Sequence, residues 1–220
     1  ASLSYATVAS TYTQNFDSLP NTPTNTNIQT SAYTSGWQDD STSTATTVGI
    51  PGWYLYHPTA ATEGGVSGHS RLRFGSGGSS TGAFYSFGTN STTDRALGAL
   101  PASTLAGDGD SMRIALRLTN NTGVALSTFT ITYDGEQYRD GAAEDTMSFS
   151  YAMNVDETNW FNAGANAVFV PGAVFTPPVT ADNDATVAGN VAGLVPNITA
   201  TVNLPSDGLW QPGTDIFLRW

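Results

Sequence analysis

Two-residue alternation of apolar and polar side chains through Ser111 to Arg139, SMRIALRLTNNTGVALSTFTITYDGEQYR, constrains this chain more than any other feature. Met112, Ile114, Leu116 and Leu118 fall on one side of an extended backbone, and Arg113, Ala115, Arg117 and Thr119 on the other. A helix would scatter these residues around its axis, whereas a strand with one buried face segregates them. After Asn120-Asn121-Thr122-Gly123, residues that tolerate turn geometry, Phe129, Ile131 and Tyr133 alternate with Thr128, Thr130 and Thr132. The two runs read as an antiparallel pair. Asp134-Gly135-Glu136-Gln137-Tyr138-Arg139 then gathers acid, base and aromatic at the strand's end, as either a site or a structural clasp.

The rest of the chain repeats this usage of strands and turns. Only 11% of the 220 residues are charged, while Gly, Ser, Thr and Asn separate short runs of Val, Ile, Phe, Tyr and Trp, and no convincing helix appears. Hydrophobic residues at 39% suffice for a sizeable core in one β-domain of this length. All seven positive residues are Arg, against fourteen Asp and four Glu, giving a net charge of -11. Such a surface disfavours nucleic acid and anionic lipid as partners. The absence of cysteine removes disulfides, thiolate metal sites and cysteine nucleophiles. No apolar stretch approaches the roughly 20 residues of a membrane-spanning helix. The start at Ala1 without Met reads as a mature secreted chain, extracellular or at a cell surface.

Along the chain, Leu3 and Tyr5 share one parity while Val8, Tyr12 and Phe16 share the other, so the chain changes phase near Ala6-Thr7. This predicts two short strands, or an arm over residues 1-12 followed by a sandwich domain over 13-220. Pro20 to Thr47 reads as a polar connection pinned by Tyr33 and Trp37. VGIPGWYLYH, 48-57, reads as a strand, and Arg71 to Phe74 with Ala83 to Phe87 as a hairpin around a Gly/Ser loop. Met147 to Asn154, Val168 to Val170, Val187 to Val191, Ile198 to Leu204 and Asp215 to Trp220 bring the expectation to roughly nine to eleven strands. No solenoid repeat is visible. The predicted fold is all-β, a jelly-roll-like antiparallel β-sandwich with an extended N-terminal arm.

Three motifs, Thr93-Asp94-Arg95-Ala96-Leu97-Gly98, Gly135-Glu136-Gln137-Tyr138-Arg139 and Ile216-Phe217-Leu218-Arg219-Trp220, resemble those of secreted bacterial β-domains found on surface-sorted proteins and as accessories to extracellular hydrolases and nucleases. The resemblance runs from about Phe16 to Trp220. In that family a further acidic segment and a final strand follow the Leu-Arg-Trp motif, and here they do not. The comparison implies a sandwich with an unpaired edge and an open groove, while Ala1 to Ala9 is surplus to the family pattern. If the surplus arm of one subunit fills the groove of the next, the contact is heterologous and propagates as a helical or linear homopolymer. The same resemblance implies a protomer of extracellular filaments of the kind seen in environmental samples.

On this reading Leu3, Tyr5 and Val8 are donor residues, and Ile216, Phe217, Leu218 and Trp220 form the acceptor edge. Arg95, Glu136 and Arg139 read as an ion-paired structural clasp, which the family motif favours over a binding pocket. As a catalytic acid Glu136 would need a second carboxylate at a defined distance, and the glycosidase reading is set aside in favour of the clasp. His69-Ser70 lacks a nucleophile elbow, and His57 with His69 is too small a set for zinc. Asp39-Asp40, Asp108-Gly109-Asp110 and Asp182-Asn183-Asp184 offer hard oxygen ligands for a structural calcium without matching a full calcium loop; no other cofactor is expected. Asn90, Asn120 and Asn197 are candidate N-glycosylation sites. Tyr54 and Tyr56, opposite Trp53, are the candidate sugar-stacking platform among aromatics that include Trp37, Trp160 and Trp210. The reading is a non-enzymatic fibre subunit, with a carbohydrate-binding or adhesive module of a larger secreted protein as the alternative.

Overall fold

The computed structural model describes residues 1-21, 36-39, 41, 48-57, 72-101, 112-141, 145-153, 167-205 and 208-220. Twelve strands occur among them: β1 Leu3–Tyr5, β2 Gly36–Asp39, β3 Trp53–His57, β4 Arg73–Gly75, β5 Ala83–Phe87, β6 Ala96–Leu100, β7 Arg113–Asn120, β8 Thr128–Glu136, β9 Ser150–Met153, β10 Val168–Phe169, β11 Leu194–Asn203 and β12 Asp215–Arg219. Among the described residues the helical content is one short turn, Pro171–Ala173. Among the described residues no helix is long and apolar enough to cross a membrane. The fold is all-β, as the alternation predicts.

One sheet runs β10-β9-β12-β7-β3-β2, with β1 also paired to β7. Facing it are the two-stranded sheet β11-β8 and the three-stranded sheet β4-β5-β6. The alternating residues meet between these layers. Trp53 and Leu55 of β3, Ile114, Leu116 and Leu118 of β7, Tyr151 of β9, and Ile216 and Leu218 of β12 share one core with Phe84 of β5 and Val202 of β11. Phe129, Ile131 and Tyr133 of β8 pack against it. Each fully buried side chain of this kind contributes about 1.5–3 kcal/mol through removal from water. Trp220 lies between the layers, its ring 5.6 Å from Trp53 on one side and 5.9 Å from Tyr133 on the other.

The structure departs from the sequence expectation in several places. β7 and β8 do not form a hairpin: β7 pairs with β1, β3 and β12, and β8 pairs with β11 in the opposite layer. The cause is Asn120, fully buried, whose Nδ2 donates to Val124 O at 2.8 Å and Trp210 O at 2.9 Å. Its Oδ1 accepts from Thr122 N at 3.0 Å and Thr122 Oγ1 at 2.7 Å. These bonds turn the chain across the sandwich instead of back along β7. β4 and β5 are parallel rather than a hairpin, because the Gly/Ser loop between them is drawn aside onto Tyr138 and Arg139. Gly77, at φ +91, presses against the Tyr138 carbonyl, and Arg139 Nη1 donates to Gly77 O at 3.2 Å.

β12 is not an edge: it pairs with β7 on one side and β9 on the other. Ile216, Phe217 and Leu218 are all buried, as both faces of a central strand require. Ile216, Phe217, Leu218 and Trp220 therefore do not form an acceptor edge within this fold. Residues 187-191 are not a strand: the chain turns over 189-193, with Gly189 seated on the Tyr138 ring, and only Thr186 bridges Arg139. At the N-terminus only Leu3–Tyr5 is a strand; Ala9 at φ 60 breaks the phase, and Tyr12 and Phe16 pack against the core without one. Arg71, Tyr33, His69-Ser70, Asp40, Asp108-Gly109-Asp110 and Trp160 lie outside the described residues, as does the His57 side chain.

Candidate functional site

β3 pairs with β7 over Arg113–Leu116 and leaves the same edge of β7 open beyond that point. β1 occupies the remainder in parallel, in the register Leu3↔Leu118, Ser4↔Thr119 and Tyr5↔Asn120. Gly52 makes the junction, at φ +86, accepting from Arg117 N at 2.8 Å; its Cα lies so close to Leu3 that a Cβ there would be only 3.0 Å from the Leu3 Cβ. Leu3 and Tyr5 are partly buried against the main core, and the Tyr5 ring sits 5.7 Å from Trp210. Polar contacts border the strand. The Ser2 and Thr119 hydroxyls are 2.7 Å apart, Asn121 Nδ2 donates to Ser4 Oγ at 2.7 Å, and Asn121 N donates to Tyr5 O at 2.8 Å. The Ala1 ammonium donates to Tyr54 Oη at 2.9 Å and pairs with Asp39. Val8, 53% exposed, plugs nothing. Of the three residues expected to act as donors, Leu3 and Tyr5 lie on the β7 edge of their own chain and Val8 lies outside that contact.

The expected clasp does not form as one ion pair. Glu136 Oε2 accepts from Tyr138 Oη at 2.6 Å, and Arg139 pairs with Asp184 at 2.8 Å. As Tyr138 occupies the Glu136 carboxylate and Arg139 reaches the 182-184 loop, the two side chains serve different neighbours. Burial, with Asp94 and Asp134 nearby, holds the Glu136 carboxyl above the usual carboxylate range, and the same burial raises Tyr138. Arg95, buried and with no carboxylate partner among the described residues, donates from Nε to Ser86 Oγ at 2.9 Å and from its Nη atoms to Ser86 O at 2.5 Å and Thr89 O at 2.9 Å. The true clasp of this motif is Gln137, whose amide exchanges two 2.9 Å bonds with the Val179 backbone. An uncharged residue between Glu136 and Tyr138 carries no sequence signal of that role.

The sugar-platform expectation fails at Tyr54, which is 3% exposed and packed with Ala115, Ala152 and Phe217 in a second cluster on the other face of the large sheet. Burial and the Asp39 charge push its phenol up to about 12. Tyr56 is partly buried, lying 5.3 Å from Trp37 and under the Arg113 guanidinium. Of the three sequons, Asn120 is excluded as a glycan acceptor, because its amide is buried and both its protons are engaged. Asn90 and Asn197 are exposed, the latter at φ 57 on a bulge of β11. Among the described residues no group of three or more His, Cys, Asp or Glu side chains could hold a metal ion.

No protein-family model matches the chain, and no curated protein or solved structure shows significant similarity to it. The resemblance to secreted β-domains therefore rests on the three motifs.

Proposed function

We propose that this protein is a non-enzymatic structural subunit of an extracellular fibre, a jelly-roll-like sandwich that polymerises by exchanging its N-terminal strand between neighbours. One observation carries the reading: β1 is a three-residue strand that completes an otherwise vacant length of the β7 edge. Nothing in its register requires that it come from the same chain. Supplied in trans, it makes the same contacts, and the exchange costs little beyond ordering the connection. That connection, residues 6-11, is exposed. The acceptor is then Leu118 to Asn120 rather than β12. A head-to-tail exchange of this kind generates fibres where the rotation between neighbours does not close into a ring, and the reading takes that open case. Secretion belongs to the same proposal, resting on the motif resemblance and the acidic, lysine-free composition.

Deletion of residues 1-9, followed by negative-stain electron microscopy, tests it. Soluble, less stable monomers are expected, since the Leu118–Asn120 edge is then left unpaired. Fibres of unchanged abundance after the deletion would overturn the proposal.

A further inference from the structure

A surface pocket of about 190 Å³ lies between the chain following β8 and the segment 179-192. Its lining includes Asp140, Asn183, Thr186, Val179, Val187 and Ala192. Asp140 is 2% exposed, yet its carboxylate has a single hydrogen bond among the described residues, from Asn183 N at a long 3.4 Å. The neighbouring Arg139 is directed to Asp184 instead. An occupant that supplies positive charge completes the pairing of this carboxylate. We infer that the Asp140 pocket binds an alkylammonium group, its nitrogen on the carboxylate and its methylenes against the valine and alanine walls.

The pocket's chemistry selects this class. A hard divalent cation wants six to eight oxygen ligands, whereas here there is one carboxylate and no further acid within a metal-binding group. The side-chain oxygen of Asn183 already accepts from Ala185 N at 3.1 Å. A guanidinium fork needs both carboxylate oxygens, one of which faces Asn183 N; an ammonium needs one. The volume compares with the roughly 150 Å³ cavity that holds benzene, enough for a four-carbon stem. The chain contains no lysine, so a second copy cannot supply the group through a side chain. The sources are a free amine, an amino sugar or the lysine of another protein.

The test is a calorimetric or NMR titration of the intact chain with n-butylammonium, N-acetyl-lysine methylamide and glucosamine, with n-butanol as the neutral isostere and Ca²⁺ as the competing cation. Saturable binding of an ammonium probe at least about tenfold tighter than butanol is expected, and the tightest of the three names the source. Asp140→Asn should weaken that binding at least about tenfold. Ala192→Leu, which adds side-chain volume at the pocket lining and leaves Asp140 in place, should do the same and keeps the inference testable if the first variant folds poorly. Equal binding of butanol, wild-type affinity in Ala192→Leu, displacement of the amine by Ca²⁺, or binding by none of the three amines would each overturn it.

Discussion

Replacing Asn120 by Ala removes four hydrogen bonds from a fully buried position, two donated by Nδ2 and two accepted by Oδ1. At about 0.5–1.5 kcal/mol net for each, the loss spans about 2–6 kcal/mol. Two facts place the expectation in the lower half of that range. Trp210 O keeps a second donor, Leu126 N at 3.0 Å, and Val124 O keeps Thr122 Oγ1 at 3.2 Å. The expected cost is then about 3 kcal/mol, equivalent to about 6–12 °C in Tm for a domain of this size. Calorimetric or urea unfolding of the variant measures it, with Asn121→Ala as the control. Asn121 is exposed and contacts only the arm through its side chain, so its loss should cost less than about 1 kcal/mol. An Asn120→Ala protein within about 0.5 kcal/mol of wild type would refute the claim that this side chain turns β7 into the opposite layer.

Other consequences are as direct. Phe217→Ala should cost about 3–5 kcal/mol in urea unfolding, because the ring is fully buried between Ala115, Ala152 and the Arg117 guanidinium; a loss below about 1 kcal/mol would mean that the outer face is solvated. Arg95→Lys should destabilise by about 2 kcal/mol, since one ammonium cannot replace a fork that reaches Ser86 Oγ, Ser86 O and Thr89 O, and unchanged stability would contradict that geometry. Glu136 titrates higher in the folded than in the unfolded chain, chiefly because it is buried. Its contribution is therefore fully present in acid, below the unfolded value, and is lost as pH rises through the folded value. Glu136→Gln should accordingly gain stability relative to wild type on going from acid to neutral pH, as read by unfolding at both; a gain that grows toward acid would reverse the sign.

The faces of the strands were legible in the sequence, and their neighbours were not. Alternation in 112-118 and 129-133 states which side of each strand meets the core, and the two layers obey it. It is silent on pairing, which is set here by a few polar and glycine positions. Asn120 looks like an ordinary turn residue until its amide is seen closing a corner, and Gly77 looks like linker until it meets the Tyr138 carbonyl. The central position of β12 did leave a signal: Ile216-Phe217-Leu218 is a continuous apolar run, the mark of a strand buried on both faces. The same reasoning explains Tyr54. Its face of the sheet also carries Ala115, Ala152 and Phe217, and such a set is too apolar to be a solvent-facing platform. In the candidate site, Leu3 and Tyr5 were readable by parity, whereas the edge that receives them depends on how far β3 extends along β7.

Strand exchange is tested most directly by a pair of cysteines, Ser2→Cys with Thr119→Cys, in a chain that otherwise has none. The two hydroxyls are 2.7 Å apart, so the thiols that replace them lie within reach of a disulfide. Purified fibres of the double variant, oxidised and run on a denaturing gel without reductant, should give a ladder of covalent multimers that collapses to one band on reduction. Oxidised chains that migrate as single subunits, or a protein that forms no fibres at any concentration, would contradict the account.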